Sequence, residues 1–239
     1  MTPGVKAIWV YLSDSPLLWL TLTLAAYVAG DALSRRLNRH PLANPVIVAA
    51  AAIIALLLAT RTEYGAYFDG AQFVHFLLGP ATVALAVPLW KNRALVRANL
   101  LPMAAALAAG SAVAALSAVA IVWALGAPVS VMASIAPKSV TAPVAMELSK
   151  SLGGVPELTA VLVILTGIIG ALIVTPLMNA FRITDFAARG FAAGVASHGI
   201  GTARAFQVSE TAGAFAGIAM GLNAALTSLL AMIFLALAG

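Results

Sequence analysis

The sequence predicts an all-α, polytopic membrane protein. Hydrophobic residues make up 62% of the 239 residues and charged residues only 9%, whereas soluble domains carry about 25% charge. The mean hydropathy is +1.03. Because a membrane-spanning helix needs roughly 20 apolar residues, the chain has room for about eight hydrophobic segments and none for a soluble domain.

Composition also argues against several kinds of site. The chain has no cysteine, so neither disulfides nor thiolate metal sites can form. Its three histidines, His40, His75 and His198, lie in different segments without metal-ligand spacing. Its net charge is +5, but no basic run with interleaved aromatic residues indicates nucleic-acid binding. We therefore expect no metal, no cofactor, no nucleic acid and, without a nucleophile–base motif, no enzymatic activity.

Two spans at the beginning of the chain have the character of a scaffold. An N-terminal stretch, residues 1–15, is expected at the membrane interface, anchored by Trp9, Tyr11 and Trp19. The first span runs from about residue 16 to 33 and the second from about 44 to 60. The arginines that separate these spans predict a cytoplasmic loop by the positive-inside rule; they are Arg35, Arg36 and Arg39.

The third and fourth segments differ in regularity. Segment three, residues 70–90, contains Gly79-Pro80, which should kink or break a helix. His75 lies one turn before this break, where it would either hydrogen-bond in the packing or lie near a transport path. The fourth span, residues 99–126, is rich in alanine, and such small residues let helices approach closely in lipid.

The fifth segment, residues 129–153, has the least regular sequence for a membrane span. It contains Ser-Ile-Ala-Pro-Lys-Ser-Val-Thr-Ala-Pro-Val-Ala-Met-Glu-Leu-Ser at 134–149. Pro137 and Pro143 each remove a backbone donor, and an opened backbone at membrane depth is tolerated only where protein or a wet cavity covers it. Lys138 is costly at that depth, so it is a candidate functional residue.

The rest of the chain repeats this pattern. A sixth span, residues 156–181, is followed by a segment at 184–209 that breaks at Gly199-Ile-Gly201, and then by a glycine-rich span at 210–238. Two units that each combine a broken segment with a span form an inverted repeat if they face opposite ways, as in transporters with a midplane site. The sequence thus predicts about six full spans plus two broken segments in an elevator-like architecture.

Loop charges bear on how the broken segments run. Arg182 and Arg189 prefer the cytoplasm, which they reach if the fifth segment returns as a re-entrant hairpin. The seventh segment would then be a hairpin from the other side. The alternative is that both segments are broken helices that cross completely.

Each break would expose a helix N-terminus, where free N–H groups and the helix dipole favour an anion. Lys138 and Arg204 would add one cation each for a small carboxylate; the alternative is internal pairing with Glu147 and Glu210. His198 would carry a coupling proton or bind substrate, or only pack. Glu147, Glu210 and His75 are therefore the candidates for coupling or ion pairing. The predicted substrate-binding residues are Lys138, Ser139, Thr141, Ser197, His198, Gly199, Gly201, Thr202, Arg204 and Asn223.

Four motifs, in order, resemble the LrgB/CidB family. They lie at residues 76–91, 134–149, 196–205 (Ala-Ser-His-Gly-Ile-Gly-Thr-Ala-Arg-Ala) and 213–223, and the resemblance covers essentially the whole chain. Bacterial members are described as antiholin-like proteins or murein-hydrolase regulators, usually encoded beside a smaller LrgA/CidA partner. The plastidic glycolate/glycerate transporter of plants looks like a fusion of both parts. Gln207 departs from the acidic residue of some relatives, which argues against a proton role there.

The resemblance implies one LrgB-like integral membrane domain over residues 1–239 of a bacterial cytoplasmic (inner) membrane protein. Its scaffold-like part would be 16–60 and its broken-helix core 70–90 and 129–238. The implied function is export or exchange of small monocarboxylates such as glycolate, glycerate or pyruvate. The alternative is an antiholin-like regulator of murein hydrolases and autolysis that acts through protein contacts. Expected partners are the carboxylate, the lipid bilayer, an LrgA/CidA-like protein and, from the glycine and alanine faces, a second copy of the chain.

Overall fold

The computed structural model describes residues 15–40, 43–77, 80, 83–84 and 86–238. Every named element in this part is an α-helix, so the predicted all-α class is confirmed there. The chain divides into two compact units, Met1–Ala84 and Leu85–Gly239. The stretch predicted at the membrane interface lies outside the described residues, apart from Ser15.

The first unit contains α1 (Pro16–Arg36), α2 (Pro45–Thr60) and α3 (Tyr64–Phe76). The Asn44 side chain caps α2 by accepting a hydrogen bond from Val46 N at 2.9 Å. At the end of α1, Arg35 and the following Arg39 both donate to the Asp31 carboxylate, the latter at 2.7 Å.

The third segment begins earlier than the sequence predicted. The sequence predicts its start at about residue 70, but the helix already begins at Tyr64. Gly70 therefore lies inside the helix, where it contacts α1. A Cβ at Gly70 would lie 2.2 Å from Pro16 O and 2.7 Å from Trp19 Cβ, so α1 and α3 can touch only at a glycine. Gly79 and Thr82 of the predicted break lie outside the described residues, as does the side chain of His75.

The second unit contains the remaining helices. They are α4 (Ala86–Lys91), α5 (Arg93–Ala98), α6 (Leu100–Ala124), α7 (Val129–Ile135), α8 (Ala142–Ser151), α9 (Pro156–Ala180), α10 (Phe186–Val208) and α11 (Glu210–Ala238). Within the described ranges, four helices of the chain are long and apolar enough to cross a membrane: α1, α6, α9 and α11. The apolar helix α2 is shorter, with 16 residues.

Helices α7 and α8 form the two arms of a hairpin, which we call the first hairpin (Val129–Ser151). The ends of both arms meet the first turn of α9, where Thr159 Oγ1 lies 3.0 Å from Ser134 O and 2.7 Å from Ser149 Oγ. Val155 N also donates to Ser134 Oγ at 2.8 Å. Ser134 and Ser149 therefore both lie beside Thr159. The chain between them reverses its direction through residues 136–141.

Helix α10 also reverses and forms a second hairpin (Phe186–Val208). Its first arm, residues 186–196, runs parallel to α11, because Cβ atoms at Gly190 and Gly194 would lie 2.0 Å from Ala212 O and 2.1 Å from Ala216 O. Its second arm, residues 199–208, runs antiparallel to α11. There, Thr202 Oγ1 lies 4.0 Å from Met220 Sδ, while Phe206 packs on Gly213.

The two hairpins approach the middle of α9 from its opposite ends. The open end of the first hairpin contacts Thr159, and Arg189 in the second hairpin donates to Thr175 O, near the other end of α9, at 3.2 Å. Both tips reach Val163, which packs with Val140 of the first tip and accepts from His198 of the second. In both segments the chain therefore reverses its direction at the break.

Candidate functional site

Asn223 of α11 connects the two hairpin tips. Its Nδ2 donates to Ser139 O of the first tip at 3.3 Å and to Val195 O of the second at 3.0 Å. Its Oδ1 accepts a hydrogen bond from Ser111 Oγ of α6. The side chain is only 1% exposed, and these contacts use both amide hydrogens and the amide oxygen. One asparagine therefore fixes both tips and α6 in a single layer.

The second tip turns at Ser197 and His198, two residues before the predicted break at Gly199-Ile-Gly201. His198 has φ 39° and ψ −134°, a conformation that costs about 1–3 kcal/mol for a residue with a side chain. Gly201 is needed beside it, because a Cβ there would lie 2.5 Å from Ser197 Cβ. A side chain at position 199 is sterically possible, since the atom nearest to a Cβ there would be Met220 Sδ, at 3.9 Å.

The His198 ring is held by a backbone carbonyl of α9. Nε2 lies 2.9 Å from Val163 O, and because a carbonyl oxygen only accepts, Nε2 carries a hydrogen. Nδ1 is then the ring nitrogen that can gain or lose a proton. Thr202 completes the turn by donating from Oγ1 to His198 O at 2.8 Å, so its hydroxyl is engaged in the hairpin itself.

Two glycines of α9 form the seat for this tip. A Cβ at Gly167 would lie 2.7 Å from His198 Cε1, and a Cβ at Gly170 would lie 1.7 Å from Ser197 Oγ. Any larger residue at either position would push the tip away from α9. The two glycines thus give α9 a close-packing face, and its partner is the second hairpin tip.

Lys138 is the cation of the first tip. Its ammonium donates to Ser139 Oγ at 3.4 Å. Among the described residues, no carboxylate lies within ion-pair distance of Lys138. The alternative of pairing with Glu147 is therefore not observed. Glu147 instead lies on the exposed face of α8.

The other predicted pair is also absent from the structure. Glu210 lies 3.5 Å from Lys91 Nζ, and the partner identified for Arg204 is the Gln207 side-chain oxygen at 3.2 Å. The physical reason is that Arg204 points into the contact of α10 with α9, whereas Glu210 is exposed at the beginning of α11.

Arg204 is not brought to the tips. It is 7% exposed and lines a small cavity together with Val174 and Thr175 of α9, whereas His198 contacts Val163 and Gly167. Six residues of helix separate Arg204 from His198, which corresponds to about 9 Å of rise. The structure thus places Lys138, Ser139, Ser197, His198 and Asn223 together, and Arg204 apart from them.

A helix N-terminus begins directly after each tip. Thr141 occupies the N-cap position of α8, but its side chain makes no capping hydrogen bond. The second arm of the second hairpin starts at Gly199. Each N-terminus contributes positive potential, and Lys138 adds a full charge between them. The arrangement suits a small anion.

Two larger cavities extend along α6 towards the hairpin tips and Asn223. A cavity of about 420 Å³ ends at Gly110, Val195 and Ala196. Another, of about 490 Å³, ends at Ser111, Ala136 and Pro137. The first is lined by the beginning of α6 and the second by its later half, so the Ser111–Asn223 hydrogen bond lies between them.

Sequence reasoning missed two groups of this site. Ser111 is one hydroxyl in an alanine-rich helix, and nothing in its neighbours marks it as the partner of Asn223. The carbonyl of Val163 has no signal at all, because every residue has one and only the fold selects it. The spacing of Gly167 and Gly170 in the sequence does not identify the Ser197 and His198 side chains that pack on them.

Comparison with known proteins gives consistent matches. Residues 23–237 match the LrgB-like family. The chain is 35% identical to the uncharacterized protein YwbG of Bacillus subtilis (strain 168) over 208 residues, which cover 87% of this chain and 92% of YwbG. It is 32% identical to the holin-like protein CidB of Staphylococcus aureus (strain N315) over 214 residues, 90% of this chain and 93% of CidB. No solved structure matches.

Proposed function

The chain belongs to the LrgB-like family, and from this premise we propose that it is a secondary transporter of small monocarboxylates in the bacterial cytoplasmic membrane. The observation that carries the proposal is the meeting of two hairpin tips, each followed by a helix N-terminus, beside Lys138. Broken helices with N-termini at the centre of an inverted repeat are the usual arrangement for binding an anionic substrate.

The substrate carboxylate would bind between the two tips. Lys138 would act as a point charge, and the hydroxyls of Ser139 and Ser197 with the N–H groups at Gly199 and Gly201 would donate hydrogen bonds. Supporting this, Lys138 is half-buried and has no carboxylate near it in the described part of the chain. A buried cation is costly without an anion, and a bound monocarboxylate would supply one. Glycolate, glycerate and pyruvate are the proposed class.

Transport would require access to the tips from each side in turn. The two cavities along α6 approach the tip layer from different halves of that helix, which supports such a route. Asn223 ties both tips to α11, and the close packing of Gly190 and Gly194 ties the second hairpin to the same helix. The hairpins, α9 and α11 would therefore move together in an elevator-like cycle, within an architecture of about six spans and two re-entrant hairpins.

His198 would carry a coupling proton. Its Nε2 hydrogen is fixed by Val163 O, so Nδ1 would take the proton, and His198 would add a second positive charge to that of Lys138 at the tips. A bound carboxylate would offset the repulsion between these two cations, so binding of the anion and the proton would favour each other.

A second candidate function is suggested by one relative, the holin-like protein CidB. In that case this chain would regulate murein hydrolases through protein contacts, with a second copy or an LrgA/CidA-like membrane protein as partner. Such a regulator would show no saturable carboxylate flux.

Uptake of labelled glycolate by proteoliposomes tests the proposal. We expect saturable uptake by the wild type and a loss of at least about tenfold in Lys138→Met, because the charge on the substrate would lose its partner. Lys150→Met, at an exposed position at the end of α8, is the matched control and should behave like wild type. Absence of saturable uptake of glycolate, glycerate and pyruvate by wild-type protein would favour the regulator.

A further inference from the structure

We propose that an exposed face of the helical segment before α6 binds the headgroup phosphates of anionic phospholipids. We call it the basic face and define it by Trp90, Arg93 and Arg97. It lies on α4 and α5 and belongs to neither hairpin. The proposal does not depend on the transport function.

The packing of α5 directs this face away from the protein interior. Val96 packs against a buried apolar cluster that α6, α10 and α11 form together, so Val96 marks the inner side of α5. Arg93 and Arg97 of the same helix are exposed, and Trp90 at the end of α4 is 69% exposed. Exposed tryptophans of membrane proteins are enriched where the bilayer meets water.

Trp90 holds the guanidinium of Arg93. The guanidinium carbon lies 4.6 Å from the centre of the indole ring, which is within the range of a cation–π contact. Arg93 also donates a hydrogen bond to Trp90 O at 3.0 Å. A guanidinium has five N–H donors, so this bond leaves donors for a phosphate oxygen. Because the side chain is already oriented, it loses less conformational entropy when a phosphate binds.

The arginines of the basic face are separate from the acidic side chains that the structure describes. None of these carboxylates lies within ion-pair distance of Arg93 or Arg97. Glu210 lies 3.5 Å from Lys91 Nζ instead, and Asp185 caps α10. Arg97 follows Arg93 by four residues, so the two side chains are neighbours on the helix surface and their positive potentials add. The face is therefore complementary in charge to lipids with a net negative headgroup.

The position of the basic face along the chain matches the depth of the headgroups. The apolar helix α6 begins at Leu100, which follows Arg97 by about 5 Å of helix rise and Arg93 by about 10 Å. A bilayer with a hydrocarbon core of about 30 Å is about 40–45 Å thick in total, which leaves about 5–8 Å for each headgroup layer. Arg97 would lie within this layer and Arg93 at its outer edge, while the exposed Leu101 would contact the acyl chains.

Native mass spectrometry of the purified protein, released from detergent micelles, tests the proposal by counting the lipids that remain bound. We expect the wild type to retain phosphatidylglycerol in preference to phosphatidylcholine at equal concentration, because only the former has a net negative charge. An arginine near the bilayer surface contributes about fivefold to such binding. Arg97→Met should therefore weaken phosphatidylglycerol binding about fivefold, and Arg93→Met combined with Arg97→Met about 25-fold.

Lys150→Met, at the exposed end of α8, is the matched control. It makes the same change in net charge as Arg97→Met and should bind phosphatidylglycerol like the wild type. An equal loss of binding in Lys150→Met would overturn the proposal, since it would assign binding to overall charge. Arg97→Met leaves the contact between Trp90 and Arg93 in place, so it provides the test if the double variant does not fold.

Two further results would contradict the basic face as a lipid site. One is equal retention of phosphatidylglycerol and phosphatidylcholine by the wild type, or unchanged retention in a folded double variant. The other concerns glycerophosphoglycerol, which is the same headgroup without acyl chains. If it bound as tightly as phosphatidylglycerol, the face would be a site for a soluble phosphate ester.

Discussion

His198 Nε2, at the tip of the second hairpin, lies 2.9 Å from the carbonyl oxygen of Val163 in the middle of α9. The contact is possible because Gly167, one turn further along α9, leaves room for the imidazole. The His198 ring is thus held by three features together: the strained backbone of His198, the space left by Gly167 and the carbonyl oxygen of Val163. This relationship fixes the orientation of the imidazole ring against α9.

Replacement of Gly170 by alanine should disrupt the second tip. Its Cβ would collide with Ser197 Oγ, and overpacking of this kind costs about 1–3 kcal/mol. Gly221→Ala is the matched control, because no atom lies within 4 Å of a Cβ there. In a helix interior that change should stabilise by about 0.5–1 kcal/mol. Thermal unfolding of both variants measures the difference in stability. Equal Tm values would contradict the claim that the second tip needs a glycine at position 170 of α9.

Asn223→Leu should separate the two tips. The substitution leaves the carbonyls of Ser139 and Val195 without their shared donor, and each buried unsatisfied group costs about 1–3 kcal/mol. We expect a lower Tm together with loss of carboxylate binding. Ser228→Ala, which removes only a hydrogen bond to Ala224 O within α11, is the control. A variant of Asn223 with wild-type stability and binding would show that the tips do not need this link.

Thr159→Val tests the open end of the first hairpin. The change removes the hydroxyl that lies between Ser134 O and Ser149 Oγ and should destabilise the protein by about 1–3 kcal/mol. Thr166→Val on the same helix removes only a bond to Leu162 O and should have a much smaller effect. Hydrogen exchange of α7 and α8 should increase in the first variant alone. Unchanged hydrogen exchange of α7 and α8 would argue against the claim that Thr159 holds these two helices together.

His198→Gln tests proton coupling. Glutamine can still donate to Val163 O but cannot titrate, so uptake should lose its dependence on pH between about 5 and 8 while substrate binding remains. Proteoliposome uptake across that range is the measurement. If the pH profile of His198→Gln matches that of the wild type, the proton is carried elsewhere or transport is not proton-coupled.

The sequence predicts the two breaks well but not how they are used. Pro137 and the Gly199–Gly201 pair mark irregular backbone because proline lacks an N–H and glycine lacks a Cβ. Whether the chain then crosses or reverses depends on long-range contacts, such as those of Thr159 with Ser134 and Ser149, for which hydroxyl side chains in an apolar chain give little signal.

The position of Arg204 shows a second limit. A half-helix counted from Gly201 would place Arg204 one turn in and close to the substrate. The reversal instead occurs at Ser197 and His198, which places Arg204 further along the arm and beside Val174 of α9. A shift of two residues in a break changes both the height and the face of every side chain that follows it.

Equilibrium binding of glycolate to the purified protein, measured by isothermal titration calorimetry, tests most directly whether the hairpin tips form a carboxylate site around Lys138. We predict saturable binding by the wild type and by Lys150→Met, and binding at least about tenfold weaker in a folded Lys138→Met variant. Unchanged affinity in Lys138→Met would contradict the placement of the carboxylate between the tips.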